Sequence, residues 1–421
     1  MMCVSKNWPK FSKLNETSLK YLQSHWIGQF LVEAYFRQLD WDNLNADLPI
    51  SNLILKASPM NRIDFLVRRD DLAKTELREV FCQPLSHGQI RLAIDRFAFT
   101  SNNISYAQAG ETLKYWTFFP APDGFGCIPV WGFAKVVESV VDEVAVGEII
   151  WGYYPMSTHV VLEPKHLTSR GFIDGASHRQ AQHTIYNQYT RCKADAWHVD
   201  GQENLEALLR PLFATSWLVD DFLADQSFFE ADTILLSSAS SKTAYATAVQ
   251  LQKRAGIKVV GLTSVSNLNF CQSLGCYHQV LTYEHLDEIP DDTKCVYVDF
   301  AGNAKIRTDI HMRFKHLKYD CAVGVTHVDQ QGSAKGLPGP RATFFFAPAQ
   351  VAKRSGEWGN AVLMQRIIAD WKSFIGRVTN PHAPWLSVET HNGPAAVSNI
   401  YSQVLSGHVD PKVGLMLSLK S

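Results

Sequence analysis

The chain has 421 residues, 46% of them hydrophobic and 19% charged, with a formal net charge of −1. That length suits two domains and that apolar fraction allows a large core. The charge balance argues against a nucleic-acid binder, which usually carries a basic face. No apolar run approaches the ~18 residues of a membrane helix. The opening MMCVSKNWPKFSK lacks an apolar signal core, so a cytoplasmic protein is expected. Cys3, Cys82, Cys127, Cys192, Cys271, Cys276, Cys295 and Cys321 are scattered, without a C-x-x-C pair. Free, mostly buried thiols are expected rather than a disulfide or zinc framework.

Residues 1–59 stand apart. Asn15 can cap a helix whose apolar residues recur through Leu19, Leu22, Trp26, Phe30, Leu31 and Tyr35. Two readings stand: an added helical arm, or an artefact of start-site choice, because Met60 opens a natural domain beginning MNRIDFLVRRDDL. Residues 61–165 read as mostly β, with runs at Ile63–Val67, Gln89–Thr100, Ile128–Val141, Glu148–Tyr154 and His159–Leu162 between glycine-marked turns. Residues 166–230 read as mixed and helical. Asn204–Leu223 has helical periodicity, and Pro211 is expected to kink or start a helix.

From residue 231 strands and helices alternate. Strands are expected at Thr233–Leu236, Lys258–Thr263, Gln279–Leu281, Val296–Phe300, Cys321–Val325 and Thr343–Phe346, with helices at Lys242–Ala255, Asn267–Leu274 and Ile306–His316. That order implies an α/β protein with a parallel sheet covered on both faces. A helix is expected from Trp358 to Ile375. A strand, a helix and a strand follow at Trp385–Glu389, Ala395–Ser406 and Leu415–Leu419.

The stretch Ala231–Tyr283 has the form of a dinucleotide-binding βαβ unit, but its first turn, Ser237–Ser241, lacks the glycines of G-x-G-x-x-G. Ser238–Thr243 can supply N–H groups, hydroxyls and the Lys242 ammonium to a phosphate. An ordinary strand–helix turn with a serine N-cap is the plainer reading. The turn after the second strand, Gly261–Asn267, carries no acid to hold a ribose 2′-hydroxyl. Its hydroxyls and amide suit a 2′-phosphate better, although no Arg or Lys is close in sequence.

The order of pieces, together with IRLAIDRFAFTSNNISYAQAG (90–110), IPVWGFAKVVES (128–139), VAVGEIIWGYY (144–154), LGCYHQVLTY (274–283), VYVDFAGN (296–303) and the closing segment 384–417, resembles the medium-chain dehydrogenase/reductase superfamily. The resemblance is to its zinc-independent quinone-oxidoreductase and enoyl-reductase members, at the distance of a divergent branch. It implies a GroES-like β-barrel domain at 60–215 with a polar insertion at 166–205. It further implies a Rossmann-type doubly wound parallel sheet at 216–350 and a C-terminal segment, 351–421, that returns to the β domain. The superfamily's zinc enzymes carry a Cys near the turn that here reads Thr100–Asn103, and a Gly-His-Glu motif. This sequence has neither, so no metal is expected.

The implied cofactor is NADP(H), held by Ser238, Ser240, Ser241, Lys242, Thr243, Thr263, Ser264, Asn267, Ala301, Gly302 and Gly324. Without metal, a polar donor must stabilise the developing oxyanion of the substrate. Asn102 and Tyr106 are the catalytic candidates. Asn103, Trp131, Tyr153, Tyr154, Tyr186 and Arg191 are candidates for the substrate pocket. Core packing for the aromatics, and a self-bonded turn for the asparagines, are the alternatives. The polar stretch 174–192, with His178, Arg179, Asn187 and Tyr189, reads as a lid or substrate clamp, or as an exposed polar helix. The expected function is reduction of a quinone or an α,β-unsaturated carbonyl or acyl compound; the alternative is a catalytically inactive or regulatory protein of the same fold. A homodimer formed by an edge strand at Thr343–Phe346 is the expected assembly.

Overall fold

Hydrophobic alternation sets the first half of the structure, a computed structural model that describes residues 60–323 and 336–420. The readings of residues 1–59 and of Gly324 lie outside the described residues. The first strands are β1 (Asn61–Arg68), β2 (Thr75–Phe81) and β3 (Ile90–Phe99), followed by helix α1 (Ser101–Gln108). Next come β4 (Phe125–Gly126), β5 (Pro129–Ser139), β6 (Ile149–Pro155), β7 (His159–Leu162), β8 (Pro164–Thr168), β9 (Gly171–Asp174) and β10 (Gln188–Arg191). The long helix α2 (Glu203–Asp225) leads into β11 (Thr233–Leu236), α3 (Lys242–Leu251), β12 (Lys258–Thr263), α4 (Leu268–Ser273) and β13 (Gln279–Thr282). Then follow β14 (Cys295–Asp299), α5 (Ala304–Arg313), β15 (Leu317–Ala322), β16 (Ala342–Phe344), α6 (Ala347–Trp358), α7 (Asn360–Val378), β17 (Ser387–Asn392), α8 (Pro394–Leu405) and β18 (Val413–Ser418).

β11 to β16 form a six-stranded sheet in the order β13-β12-β11-β14-β15-β16, every pair parallel. β11 and β14 are buried along their whole length, as a parallel sheet covered on both faces requires. Each fully buried Val, Leu or Ile there contributes roughly 1.5–3 kcal/mol relative to exposure. The strand order reverses between β11 and β14, which opens a crevice at their carboxyl ends.

The remaining strands form a three-stranded sheet, β2-β1-β4, and a larger mixed sheet. β18 pairs with β3 and with β17, so the C-terminal strands lie in the larger sheet, beside β3. No helix among the described residues is long and apolar enough to cross a membrane. The seven described cysteines are free, and all but Cys82 are buried.

Several elements differ from the sequence reading. β2 was not expected: TELREVF carries charge on alternate positions and pairs only with β1, at the sheet edge. The helix expected at Trp358–Ile375 is α7, Asn360–Val378, whereas α6 before it was not expected; Gly359 separates the two, and its φ of +80° suits a residue without a Cβ. Pro211 neither starts nor ends α2 but sits inside it. The segment 174–192 is neither a polar helix nor an exposed clamp. It contributes β10 to the larger sheet and turns around Arg179, which is 0% exposed. Arg179 donates to the Tyr186 carbonyl (2.6 Å) and the Asn187 amide oxygen (2.8 Å) and lies over the Phe119 ring. Tyr186 and Asn187, which made this stretch look polar and solvated, instead pack around one buried cation.

Candidate functional site

Two regions carry the candidate chemistry, and α2 touches both. The first lies at the carboxyl ends of β11, β12 and β14. The loop Ser237–Ser241 turns sharply there because Ser238 adopts a left-handed conformation, φ +51°, which costs an L-residue roughly 1–2 kcal/mol and is normally left to glycine. The Ser238 N–H donates to the Tyr283 hydroxyl (2.9 Å), and the Ala239 N–H to the Leu262 carbonyl (3.0 Å). Behind the loop, a Cβ on Gly261 would stand 2.9 Å from that of Ala239, so β12 and the loop approach as closely as glycine permits.

Ser241 caps α3, accepting from the Ala244 N–H (3.2 Å). Ser240 Oγ accepts from the Asn267 amide (3.2 Å), which ties the loop to the turn after β12. In that turn the Ser264 and Ser266 hydroxyls bond each other (2.9 Å), whereas Thr263 is 1% exposed. Ser237 donates to Asp299 (2.9 Å) and accepts from the Phe300 N–H (2.8 Å). Asp299 also accepts from the Ala301 and Gly302 N–H groups (2.9 and 3.0 Å). Ser237, Asp299 and Tyr283 were missed by sequence reasoning, although each sits at the carboxyl end of an expected strand, the signal that could have found them.

Lys242 departs from the expectation. Its ammonium does not face the loop but donates to the Pro411 (3.3 Å) and Val413 (3.1 Å) carbonyls before and within β18. Burial lowers its pKa to about 8, with Asp410 opposing. Its sequence position beside the serines suggested a phosphate ligand; its length lets it reach the C-terminal segment instead. That segment, Gly407–Lys412, walls a cavity of about 430 Å³ whose other side is Ser266, Asn267, Asn269 and Phe270.

The second region is an aromatic cleft. The Thr100 N–H donates to the Asn103 side-chain oxygen (2.9 Å), and the Asn103 amide donates to the Pro129 carbonyl (3.1 Å). Asn103 is therefore spent on starting α1 and fixing it to β5. Asn102 and Tyr106, four residues apart, share a helix face. The Asn102 amide donates to the Tyr106 hydroxyl (2.7 Å), which leaves the phenolic hydrogen free to donate elsewhere. Burial, and then nearby Tyr186, raise the Tyr106 pKa well above that of a free phenol, with Asn102 opposing.

Tyr115, which sequence reasoning overlooked despite the aromatic run around it, stacks on Tyr106 with centroids 4.6 Å apart. Trp131, Tyr153 and Tyr186 close the cluster, with Tyr153 at 4.7 Å from Trp131 and 5.3 Å from Tyr186. The Tyr153 hydroxyl is buried without a hydrogen-bond partner among the described residues. Tyr154, one residue further along β6, points to the opposite face and donates to the Ile150 carbonyl (2.9 Å). Arg191 also stays outside the cleft, paired with Glu148 (2.8 Å) and donating to the Thr168 carbonyl (2.8 Å).

Helix α2 covers the cleft with Leu208, Pro211 and Leu212, leaving about 20 Å³, room for one water. Pro211 has no N–H to give the Ala207 carbonyl, which also lies at this wall. Just over one turn beyond Pro211, Ser216 donates to the Thr243 carbonyl (2.8 Å) at the start of α3, so one helix spans from the cleft to the loop.

The parallel sheet with its crevice at the β11/β14 reversal is of the Rossmann type, and it is joined to a GroES-like β portion that the C-terminal strands re-enter. CurA from Vibrio vulnificus has this fold, with a TM-score of 0.50 at 13% identity over 86% of this chain and 99% of that one. The quinone oxidoreductase from Coxiella burnetii aligns over 85% of this chain and 99% of its own, with a TM-score of 0.47 at 13% identity. The chain belongs to the family described as protein of unknown function DUF2855, which it matches over residues 97–410. No curated protein matches its sequence.

Proposed function

We propose that the protein is an NADP(H)-dependent, zinc-independent oxidoreductase that reduces a quinone or an α,β-unsaturated carbonyl or acyl substrate. The observation that carries this reading is the Asn102–Tyr106 pair, a hydroxyl donor aimed by an amide within an aromatic wall. The loop fits a dinucleotide: Ser238 holds the left-handed turn, Gly261 permits close backbone approach, and the Ser237–Asp299 bond locks the two turns that flank the crevice.

The bound nicotinamide would supply hydride. Ser240, Ser241, Thr243, Asn267, Ala301 and Gly302 would hold the cofactor, with Ser264 at the adenosine end. Tyr106 donates its hydroxyl hydrogen to the substrate oxygen as negative charge builds there, and its raised pKa keeps that hydrogen in place at neutral pH. Asn102 orients the hydroxyl. Trp131, Tyr153 and Tyr186 exclude water and offer flat apolar walls to a conjugated substrate. Leu208 and Leu212 must withdraw for such a substrate to enter, since the cleft has room for only about 20 Å³.

That narrowness, with Lys242 committed to the Pro411 and Val413 carbonyls, favours one second reading: a protein of this fold without catalysis. Oxidation of NADPH by the full chain over a panel of quinones and enones separates the two. Turnover with any acceptor supports the enzyme, and nucleotide binding without turnover on the whole panel supports the inactive relative.

We also propose a homodimer joined at the β16 edge, where Phe344 and Phe346 are 41% and 50% exposed. Sedimentation should give a dimer for the wild type and a monomer for Phe344→Glu. A wild type that sediments as a monomer at micromolar concentration contradicts this assembly.

A further inference from the structure

The turn after β12 has neither an acid nor a base with which to tell NADPH from NADH. Position in the fold supplies what the local sequence lacks. The cavity of about 430 Å³ adjoins that turn, beyond the carboxyl end of β12, where the adenosine ribose of a dinucleotide stands in such sheets. One wall is Ser266, Asn267, Asn269 and Phe270. The facing wall is Gly407–Lys412, about 140 residues later in the chain. All its charged or titratable lining residues, His408, Asp410 and Lys412, come from that second wall.

We infer that Lys412, with His408 beside it, is the 2′-phosphate clamp of the cofactor site and sets its preference for NADPH. This rests on the cofactor reading above. The Lys412 ammonium lies 5.7 Å from the Phe270 ring centroid, on the cavity side of α4. Its backbone is fixed on every side. The Lys242 ammonium holds the carbonyls of the residues before and after it, Pro411 and Val413. The Ser387 N–H donates to the Lys412 carbonyl (2.8 Å), and the Lys412 N–H donates to Asp410 (2.8 Å). Lys242 is therefore a positioning residue: it binds no phosphate but sets the segment that presents Lys412.

Asp410 is the opposing charge. A carboxylate in this cavity repels a 2′-phosphate and suits a 2′-hydroxyl. Its turn bond to the Lys412 N–H occupies one oxygen, and two basic side chains flank it in sequence. The Lys412 ammonium acts against that charge, as an exposed and salt-sensitive contact.

The test measures dissociation constants of the full chain for NADPH, NADH, 2′,5′-ADP and AMP. Wild type should prefer NADPH to NADH and 2′,5′-ADP to AMP. Lys412→Ala should weaken NADPH and 2′,5′-ADP about tenfold or more while leaving NADH and AMP unchanged. Lys412→Arg should retain the preference, and Asp410→Asn should strengthen it. Equal losses for both dinucleotides in Lys412→Ala, no loss for either, or a wild type that prefers NADH would each overturn the clamp while leaving the cofactor reading standing. Failure of the wild type to bind any of the four nucleotides would instead overturn the cofactor reading, and the clamp with it.

Discussion

Tyr106 is held by one hydrogen bond and one stacked ring, and the two contacts separate its chemistry from its packing. Tyr106→Phe keeps the stack on Tyr115 and removes the hydroxyl, both the donor to substrate and the acceptor of the Asn102 amide. Loss of one oxyanion donor typically costs 10²–10³ in kcat, so turnover should fall by about that factor with KM little changed and the melting temperature preserved. Unchanged kcat would remove Tyr106 from the chemistry. The two residues were named from their place in the segment 90–110, where a turn was expected; the helix α1 supplies the i, i+4 spacing that brings their side chains together. The placements of Tyr154 and Arg191 were not legible, because nothing in a one-residue window fixes which face of β6 meets the cleft or which carboxylate takes a guanidinium. Asn103 shows the same limit: its amide looked available until the start of α1 claimed it.

At the scale of elements, the loop between β11 and α3 and the segment before β18 are joined by Lys242, and that joint has a pH signature. The unfolded chain holds the Lys242 proton to about pH 10.5, whereas burial lets the folded chain release it near pH 8. Between those values the unfolded state binds more protons, so this residue makes stability rise with pH across that window; below about pH 8 the burial cost is fully felt. Chemical denaturation of wild type and Lys242→Met from pH 7 to 10.5 should show the wild type gaining on the variant as pH rises. A constant difference would mean that the amine is not desolvated at this joint.

The alternating strands and helices after residue 231 could be read from periodicity because buried parallel strands are short apolar runs between helices. Elements held by charge could not. β2 carries its pattern in Glu76, Arg78 and Glu79 at a sheet edge, and β10 is organised around Arg179. The break between α6 and α7 rests on one glycine in an otherwise unbroken helical pattern.

Across the whole molecule, the closing strands matter most, because β18 returns to β3 and carries the Gly407–Lys412 wall to the turn after β12. A search along the sequence near β12 finds no base for a 2′-phosphate; only the folded chain brings Lys412 there. The same return places Gly414 against Leu208 of α2, where a Cβ would come within 2.6 Å, so cleft, helix and C-terminal segment are in direct contact. The oxidoreductase reading and the 2′-phosphate clamp both require that the serine-built loop accept a dinucleotide. Thermal unfolding of the full chain with increasing NADPH tests that most directly. A ligand bound only by the folded state adds about 2.7 kcal/mol at a hundredfold excess over its Kd, so the melting temperature should climb with concentration and tryptophan emission should be quenched in parallel. A melting temperature that stays flat to millimolar NADPH and NADH would contradict the account.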